Sequence, residues 1–171
     1  KAAIGSVSPW RFREAISPHM AAERDGRRLD VGEIVGFCRF AGPVEGGATM
    51  LVEGIGGAMV PLSDDETVLD WMAGLSWPVL VVAGSYLGSL SHTLTAIESI
   101  RLRGLELAGI VVSESEENPV PVIETAETIG RFVAPAPVIV LPRINPVHLT
   151  NESVPDIAAA LGLMGSAPST V

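Results

Sequence analysis

The sequence predicts an α/β fold of three layers, in which a mostly parallel β-sheet carries helices on both faces. Three short runs rich in β-branched residues, 79–83, 107–112 and 138–141, have the continuous apolar character of strands covered on both sides. Segments with the spacing of amphipathic helices follow them. Strands that alternate with helices over short connections form right-handed βαβ units, and such units place the strands parallel in one sheet.

The remaining elements are predicted from apolar spacing and capping signals. Helices are expected at Met20–Arg24, Asp30–Phe40, Thr67–Leu75, Leu90–Arg103, Val122–Phe132 and Val154–Leu163, with a further strand at about Ala48–Val52. Asp64, Asp65 and Glu66 precede the third of these helices, where acidic side chains complement the helix dipole. The 171 residues are predicted to form a single domain, 1–171, with 165–171 as a flexible tail.

Composition narrows the class of partner. The chain has 20 acidic and 11 basic residues and a net charge of -9, which argues against nucleic acid because phosphate backbones require clustered Lys and Arg. No apolar run reaches the roughly 20 residues of a membrane span. The only cysteine, Cys38, excludes an internal disulfide and a cysteine zinc site, and its apolar neighbours predict a buried thiol. A small-molecule or protein partner and a cytoplasmic location are therefore expected.

Ligands of open parallel sheets bind beyond the carboxyl ends of the strands, so the positions directly after each apolar run are the informative ones. These positions are Glu53–Gly57, Gly84–His92, Ser113–Asn118 and Pro142–Pro146. We expect the four loops to form one cleft. This step locates a site without naming a reaction.

Glu53 is the acidic residue that follows the predicted strand at about Ala48–Val52. A carboxylate in a cleft suits Mg²⁺, a hard cation that prefers oxygen ligands and keeps several waters. Gly54, Gly56 and Gly57 remove side chains where the backbone turns or approaches a ligand. The alternative is that Glu53 caps an ordinary loop.

The segment Gly88–His92 opens a predicted helix, and its backbone N–H groups make it a candidate anion site. The alternative is that Ser89 or Ser91 is an ordinary N-cap. Of the histidines, His92 is expected to be structural, His19 to be either a substrate contact or a local hydrogen-bond donor, and His148 to lack a partner. No Gly-x-Ser-x-Gly elbow occurs in the sequence and Cys38 lies on an apolar helix face, so nucleophilic hydrolysis is unsupported. The Gly-x-x-x-x-Gly-Lys-Ser/Thr loop that cradles phosphate in phosphoryl transfer does not occur in these residues either.

Four segments taken together resemble dethiobiotin synthetase, an ATP-dependent enzyme of biotin synthesis. They are Ser-Pro-His-Met-Ala-Ala at 17–22, Val-Glu-Gly-Ile-Gly-Gly-Ala-Met-Val-Pro-Leu at 52–62, Leu-Gly-Ser-Leu-Ser-His-Thr-Leu at 87–94 and Leu-Ala-Gly-Ile-Val at 107–111. Each segment is weak evidence alone, but their order and spacing are fairly specific, and the match extends over most of residues 8–142.

The resemblance implies a P-loop NTPase-like fold, usually a homodimer. It further implies that CO₂ carboxylates 7,8-diaminopelargonic acid to a carbamate, which ATP phosphorylates before ring closure. By the same resemblance Glu53 helps to hold Mg²⁺ between the phosphates, and Gly56 and Gly57 line the substrate cleft.

The resemblance also assigns two further groups of contacts. Backbone N–H groups of Gly88, Ser89, Leu90 and Ser91 are expected to bind the substrate carboxylate across the dimer interface. The adenine pocket is expected at Ser113 and at Pro142, Arg143 and Ile144, with Ser113 in place of an asparagine found in some members.

The resemblance covers the family's C-terminal two-thirds and begins after the portion that carries its P-loop, its lysines and a second metal-binding aspartate. The expectation is that these 171 residues are an incomplete chain that does not catalyse the reaction alone. Two alternatives remain open: a non-catalytic binding or scaffold protein derived from the same fold, and another P-loop ligase of cofactor synthesis.

Overall fold

A computed structural model describes residues 4–41, 49–144 and 154–163. Their contacts divide the chain into two compact units. Unit 1 comprises Lys1–Gly42 and Leu51–Leu75, and unit 2 comprises Pro43–Met50 and Ser76–Val171. That the chain forms a single domain stays a prediction, and the predicted tail at 165–171 lies outside the described residues.

The described part of unit 1 contains four helices: α1 (Ile4–Val7), α2 (Pro18–Arg24), α3 (Val31–Phe40) and α4 (Val68–Leu75). The predicted helices at 20–24, 30–40 and 67–75 are therefore confirmed to within two residues. Asp30 caps α3 by accepting a hydrogen bond from the backbone N–H of Glu33 at 2.9 Å. The apolar stripes of α3 and α4 are buried, with Ile34 at 5% exposure and Val68 at 2%.

The carboxylate that orders the start of α4 is not one of the three predicted from the sequence. Asp70 Oδ2 accepts hydrogen bonds from the backbone N–H and the hydroxyl of Thr67, at 2.8 and 2.7 Å. Asp65 instead accepts from the Ser63 hydroxyl in the preceding turn. Asp70 is the third residue of the helix, and its side chain reaches back to the residue before the helix. The acidic residues that precede the helix in the sequence could not predict this contact.

The strand predicted at about Ala48–Val52 is wrong for the residues that are described. Residues 49–54 have no strand geometry, and no described segment pairs with them, while Ala48 lies outside the described ranges. Leu51 is 79% exposed. An apolar run becomes a strand only when a neighbouring backbone supplies hydrogen bonds, and that neighbour is not visible in the local sequence.

Unit 2 contains the parallel sheet. Its strands β1 (Val79–Gly84), β2 (Leu107–Ser113) and β3 (Val138–Leu141) lie in the order β1-β2-β3, and both pairings are parallel. Helices α5 (Ser89–Leu102) and α6 (Val122–Val133) form the crossovers. The predicted α/β fold class is confirmed.

The core of unit 2 lies between the sheet and the two crossover helices. Ile110 and Val112 of β2, together with Ile97 of α5 and Ile129 of α6, are at most 1% exposed. These side chains come from the predicted apolar stripes, so burial and sequence pattern agree here.

The opposite face of the sheet is covered in part. The short helix α7 (Ile157–Ala160) is followed by Leu161, whose Cδ2 would lie 2.6 Å from a Cβ built on Gly109. Helices are therefore present on both faces, although the helix predicted at 154–163 is only one turn long. Val82 on β1 is 69% exposed, so the described residues cover this face of β1 only in part. None of the described helices has the length and apolar character needed to cross a membrane.

Candidate functional site

The carboxyl ends of the three strands bring several predicted site residues together in unit 2. Gly84, Ser113 and Leu141 are neighbours at the ends of β1, β2 and β3. The loops that follow them therefore leave the sheet at one edge, as the βαβ pattern predicted.

The anion turn, defined here as Gly88–Ser91, begins α5. Gly88 is the N-cap residue and has a φ of 96°, a left-handed conformation that side chains other than glycine rarely adopt. Neither Ser89 nor Ser91 is the N-cap residue, so the ordinary capping alternative is wrong in that form. The Ser89 N–H donates to the carbonyl of Tyr86 at 3.0 Å, whereas the N–H groups of Leu90 and Ser91 have no backbone acceptor within the described residues.

Beside the anion turn, Tyr86 and His92 form a pair that the sequence did not indicate. The Tyr86 hydroxyl lies 2.9 Å from His92 Nδ1, and the ring of His92 lies over Gly88, 3.8 Å from where a Cβ would stand. Both side chains are exposed. His19 similarly contacts the Ser17 hydroxyl through Nδ1 at 3.0 Å, which is the local hydrogen bond that the sequence allowed. His148 lies outside the described residues.

The residues predicted to form the adenine pocket are adjacent in space. The N–H of Glu114 donates to the carbonyl of Leu141 at 2.9 Å, which joins the exit of β2 to the exit of β3. The Arg143 N–H in turn donates to Glu114 Oε2 at 2.9 Å. Ser113 and Ile144 are half-buried, while Pro142 and Arg143 are exposed.

A second set of polar contacts joins the exits of β1 and β2, and sequence reasoning missed it. The Ser85 N–H donates to Ser115 Oγ at 3.0 Å, and the Ser115 N–H donates to Ser85 Oγ at 2.9 Å. The Ser85 hydroxyl donates to Asn118 Oδ1, and Asn118 Nδ2 donates to Glu114 Oε1 at 3.2 Å. We call Ser85, Ser115, Asn118 and Glu114 the strand-end network. The only sequence signal for it was the polar character of both loops.

Glu53 belongs to unit 1 and lies in a loop rather than at the end of a strand. Its side chain is exposed and makes no hydrogen bond or ion pair with another described residue. It lines an apolar cleft of about 500 Å³ in unit 1, whose walls include Trp10, Phe12, Phe37 and Trp71. An exposed carboxylate without a protein partner has the chemistry of a Mg²⁺ ligand, because Mg²⁺ is commonly held by one or two carboxylates plus phosphates and water.

The two glycines after Glu53 have different roles in the backbone. Gly56 has a φ of 77°, and a Cβ there would come within 2.7 Å of Val60 Cγ2. A Cβ on Gly57 would meet nothing within 4 Å. Glycine is therefore required by the turn at 56, whereas at 57 the described surroundings leave open space.

Cys38 is buried at 5% exposure, as predicted. Burial raises the pKa of the Cys38 thiol, and the facing indole of Trp71 lowers this pKa by less than burial raises it. The Trp71 Nε1 itself is buried and lacks an acceptor of regular hydrogen-bond geometry among the described residues, so its contact with the sulfur is weak. A thiol held in its neutral form is a poor nucleophile.

The predicted site residues thus fall in two groups. Glu53, Gly56 and Gly57 lie in unit 1, and the anion turn and adenine-pocket residues lie in unit 2. That all four loops form one cleft stays a prediction. Among the described residues, no three His, Cys, Asp or Glu side chains come together as a metal cluster.

The parallel sheet with its crossover helices is that of an α/β domain, consistent with the AAA class. The sequence model of the AAA-domain family matches residues 1–154.

The chain is also similar to proteins named ATP-dependent dethiobiotin synthetase. The protein from Acidiphilium cryptum is 48% identical over 135 residues, which are 79% of this chain and 60% of that protein. The protein from Methylobacterium nodulans is 43% identical over 75% of this chain and 57% of its own length. The protein from Phenylobacterium zucineum is 38% identical over 96% of this chain and 70% of its own length.

The chain therefore belongs to the dethiobiotin synthetase family, as the resemblance of the four segments predicted. It spans 60% and 57% of the length of the first two of these relatives.

Proposed function

We propose that the protein carries out the ATP- and Mg²⁺-dependent carboxylation and ring closure of 7,8-diaminopelargonic acid with CO₂ or bicarbonate, giving dethiobiotin. The observation that carries the proposal is the similarity to ATP-dependent dethiobiotin synthetases, which for the protein from Acidiphilium cryptum is 48% identity over 135 residues. We also propose that it works as a cytoplasmic homodimer, in keeping with the family resemblance.

The substrate carboxylate is assigned to the anion turn. The N–H groups of Leu90 and Ser91 belong to the first turn of α5 and have no backbone acceptor among the described residues, and the positive end of the α5 dipole adds to their attraction for an anion. Gly88 permits the left-handed turn that precedes them, and Ser89 is 3% exposed, so it contributes through the backbone.

The nucleotide base is assigned to Ser113, Pro142, Arg143 and Ile144. The Ser113 hydroxyl at the exit of β2 can both donate and accept a hydrogen bond at a purine edge. Pro142 and Ile144 add apolar surface on which a base could rest. Ser113 offers a hydroxyl in place of an amide, which leaves one hydrogen bond fewer for the base.

In unit 1, Glu53 is assigned to Mg²⁺, with Gly56 and Gly57 lining the substrate cleft. The metal, when bound, neutralises charge on the transferring phosphoryl group. The role of this chain is to present an unpaired carboxylate from a loop that is held in place by turn hydrogen bonds such as Val60 N–H to Gly57 O at 3.0 Å.

The test is a reaction of the protein expressed from its complete coding sequence with diamine, bicarbonate and Mg-ATP, followed by mass spectrometry for dethiobiotin and measurement of ADP release. The 171 residues alone serve as the comparison and are expected to form no product. From the complete protein we expect product formation that depends on all three reactants. Nucleotide hydrolysis without diamine dependence would instead favour another ligase, and ligand binding without turnover would favour a binding protein.

Glu53→Gln removes one negative charge from the proposed metal site. We expect at least a roughly tenfold fall in kcat/KM and a higher Mg²⁺ concentration for half-maximal rate, because the neutral amide holds a hard cation weakly. Glu23→Gln, an exposed change on α2 of the same unit, is the matched control and should leave both quantities unchanged. A Glu53→Gln variant with the Mg²⁺ dependence of the parent protein would remove the metal assignment.

A further inference from the structure

The strand-end network crosses the whole carboxyl edge of the sheet. It runs from Ser85 after β1, through Ser115 and Asn118 after β2, to Glu114, and ends on the backbone N–H of Arg143 after β3. The Ser85–Ser115, Ser85–Asn118 and Glu114–Arg143 hydrogen bonds join loops that follow different strands, and the Asn118–Glu114 hydrogen bond lies within the loop after β2. The three loops are therefore held at fixed separations by hydrogen bonds beyond the sheet itself.

The link between β1 and β2 is reciprocal and buried. Ser85 is 1% exposed, and each of the two serines donates its N–H to the hydroxyl oxygen of the other. A Cβ on Gly84 would lie 2.9 Å from Ser115 Oγ and 2.7 Å from the ring of Tyr86, so the close approach needs glycine there. We call the reciprocal hydrogen bonds between Ser85 and Ser115 the serine clasp. Because a buried donor without a partner raises the free energy of the folded state, the serine clasp strongly favours one arrangement of the two loops.

The link between β2 and β3 depends on Glu114. Pro142 has no N–H, so the first amide after Leu141 that can donate is that of Arg143, and it donates to Glu114 Oε2 at 2.9 Å. The other oxygen, Oε1, accepts from Asn118 Nδ2 at 3.2 Å. A carboxylate that receives one N–H on each oxygen makes charge-assisted bonds and holds both donors in place.

We propose that the strand-end network is a positioning element for base recognition, and that Ser85 and Glu114 are its principal positioning residues. The inference rests on the proposed function, in which Ser113 and Pro142–Ile144 hold the nucleotide base. Ser113 directly precedes Glu114, and Pro142 directly precedes the Arg143 amide that Glu114 holds. The network thereby sets nucleotide affinity and base selectivity, and it leaves the chemical step unchanged.

Glu114→Gln is the main test variant. An amide offers one acceptor oxygen and turns its NH₂ toward a second donor, so one of the two bonds is lost. We expect the Kd and KM for Mg-ATP to rise roughly fivefold to tenfold, kcat to stay within about twofold, and the preference for ATP over GTP to fall. Ser85→Ala, which breaks the serine clasp, should act in the same direction, and circular dichroism checks that each variant is folded.

Two matched controls separate positioning from general effects. Glu127→Gln changes an exposed glutamate on α6, outside the strand-end loops. Ser99→Ala removes a hydroxyl that bonds to a carbonyl of its own helix, Thr95 O, at 2.9 Å. Both should keep the nucleotide Kd and the ATP-to-GTP preference within about twofold of the parent values.

Amide hydrogen exchange gives a readout that does not depend on activity. In Glu114→Gln the Arg143 amide should exchange roughly tenfold faster, while the Val112 amide inside β2 should keep its rate. Unchanged exchange at Arg143 would overturn the geometry, and faster exchange with unchanged ATP affinity and selectivity would overturn the positioning role. A parent protein that binds ATP but forms no dethiobiotin would refute the proposed function. In that case the nucleotide Kd and the ATP-to-GTP preference of the variants would still test the positioning role of the strand-end network. A parent protein that binds no nucleotide would overturn both.

Discussion

Unit 1 and unit 2 satisfy their backbone polar groups in different ways. In unit 2 three parallel strands pair along their length, and the core residues Ile110 and Ile129 are fully buried between sheet and helices. In unit 1 the described residues contain one isolated bridge, between Pro61 and Thr67, and the remaining order comes from helices and turns. Its apolar cleft, lined by Trp10 and other aromatic residues, is open rather than filled.

This difference affects how each unit presents its candidate site residues. The loops of unit 2 start from strand ends at a common edge and are joined by the strand-end network. Glu53 of unit 1 is instead carried by a loop that is joined to the start of α4 by the bonds from Val68 N–H to Val60 O at 2.9 Å and from Leu69 N–H to Ala58 O at 2.7 Å. Unit 2 thus holds its site by sheet geometry, and unit 1 holds its site by turns at the start of α4.

The largest expected effect contrasts the two cores. Ile129→Ala in unit 2 should lower the free energy of unfolding by about 4 kcal/mol, because the closely packed surroundings cannot collapse into the cavity. Ile34→Ala in unit 1 should cost about 2 kcal/mol, since its neighbours border an open cleft and can relax. Urea unfolding of both variants measures the difference, and equal costs would show that the two cores are packed alike.

A smaller effect tests whether turns order unit 1. Gly56→Ala should destabilise the chain by about 2 kcal/mol, because alanine disfavours the left-handed conformation and its Cβ meets Val60. Gly57→Ala, one residue away in open space, should change the free energy of unfolding by less than about 0.5 kcal/mol. Thermal unfolding compares the pair, and similar melting temperatures would mean that the turn at Gly56 contributes little.

The smallest effect concerns the buried thiol of unit 1. Burial raises the pKa of Cys38 in the folded state above its value in the unfolded state. The neutral thiol therefore contributes its full stabilisation below the ordinary thiol pKa of about 8.5, and this stabilisation is lost as the pH rises through the folded-state pKa. Cys38→Ala should flatten this alkaline decline in urea unfolding. Iodoacetamide should react at least about tenfold more slowly with folded than with unfolded parent protein. Fast alkylation of the folded chain would place the thiol within reach of solvent.

Much of unit 2 could be predicted from the sequence. Its strand and helix patterns are local, and consecutive βαβ elements pack against one another, so the run 107–112 identified β2 to within one residue. The anion turn was also predictable, because Gly88 followed by a helical pattern indicates a helix start. The pattern alone left Glu53 as either a Mg²⁺ ligand or a loop cap, and the family resemblance favoured the metal and supplied the assignment of Ser113.

Other features required the folded structure. The expected strand before Glu53 has no pairing partner among the described residues, and pairing is a property of two segments rather than one. Ser85 and Glu114 had no periodic or motif signal, since their roles depend on contacts about 30 residues apart in sequence. The capping acid of α4, Asp70, was inside the helix rather than ahead of it.

The sequence by itself determined the α/β class, the crossover helices and the family, because these depend on periodic burial and on the order of short motifs. The tertiary structure decided which polar groups meet: the serine clasp, the two donors on Glu114 and the exposed position of Glu53. Hydrogen bonds between loops require donor and acceptor atoms to be placed to within a few tenths of an ångström. Such placement arises only when the strands have paired and their ends lie side by side.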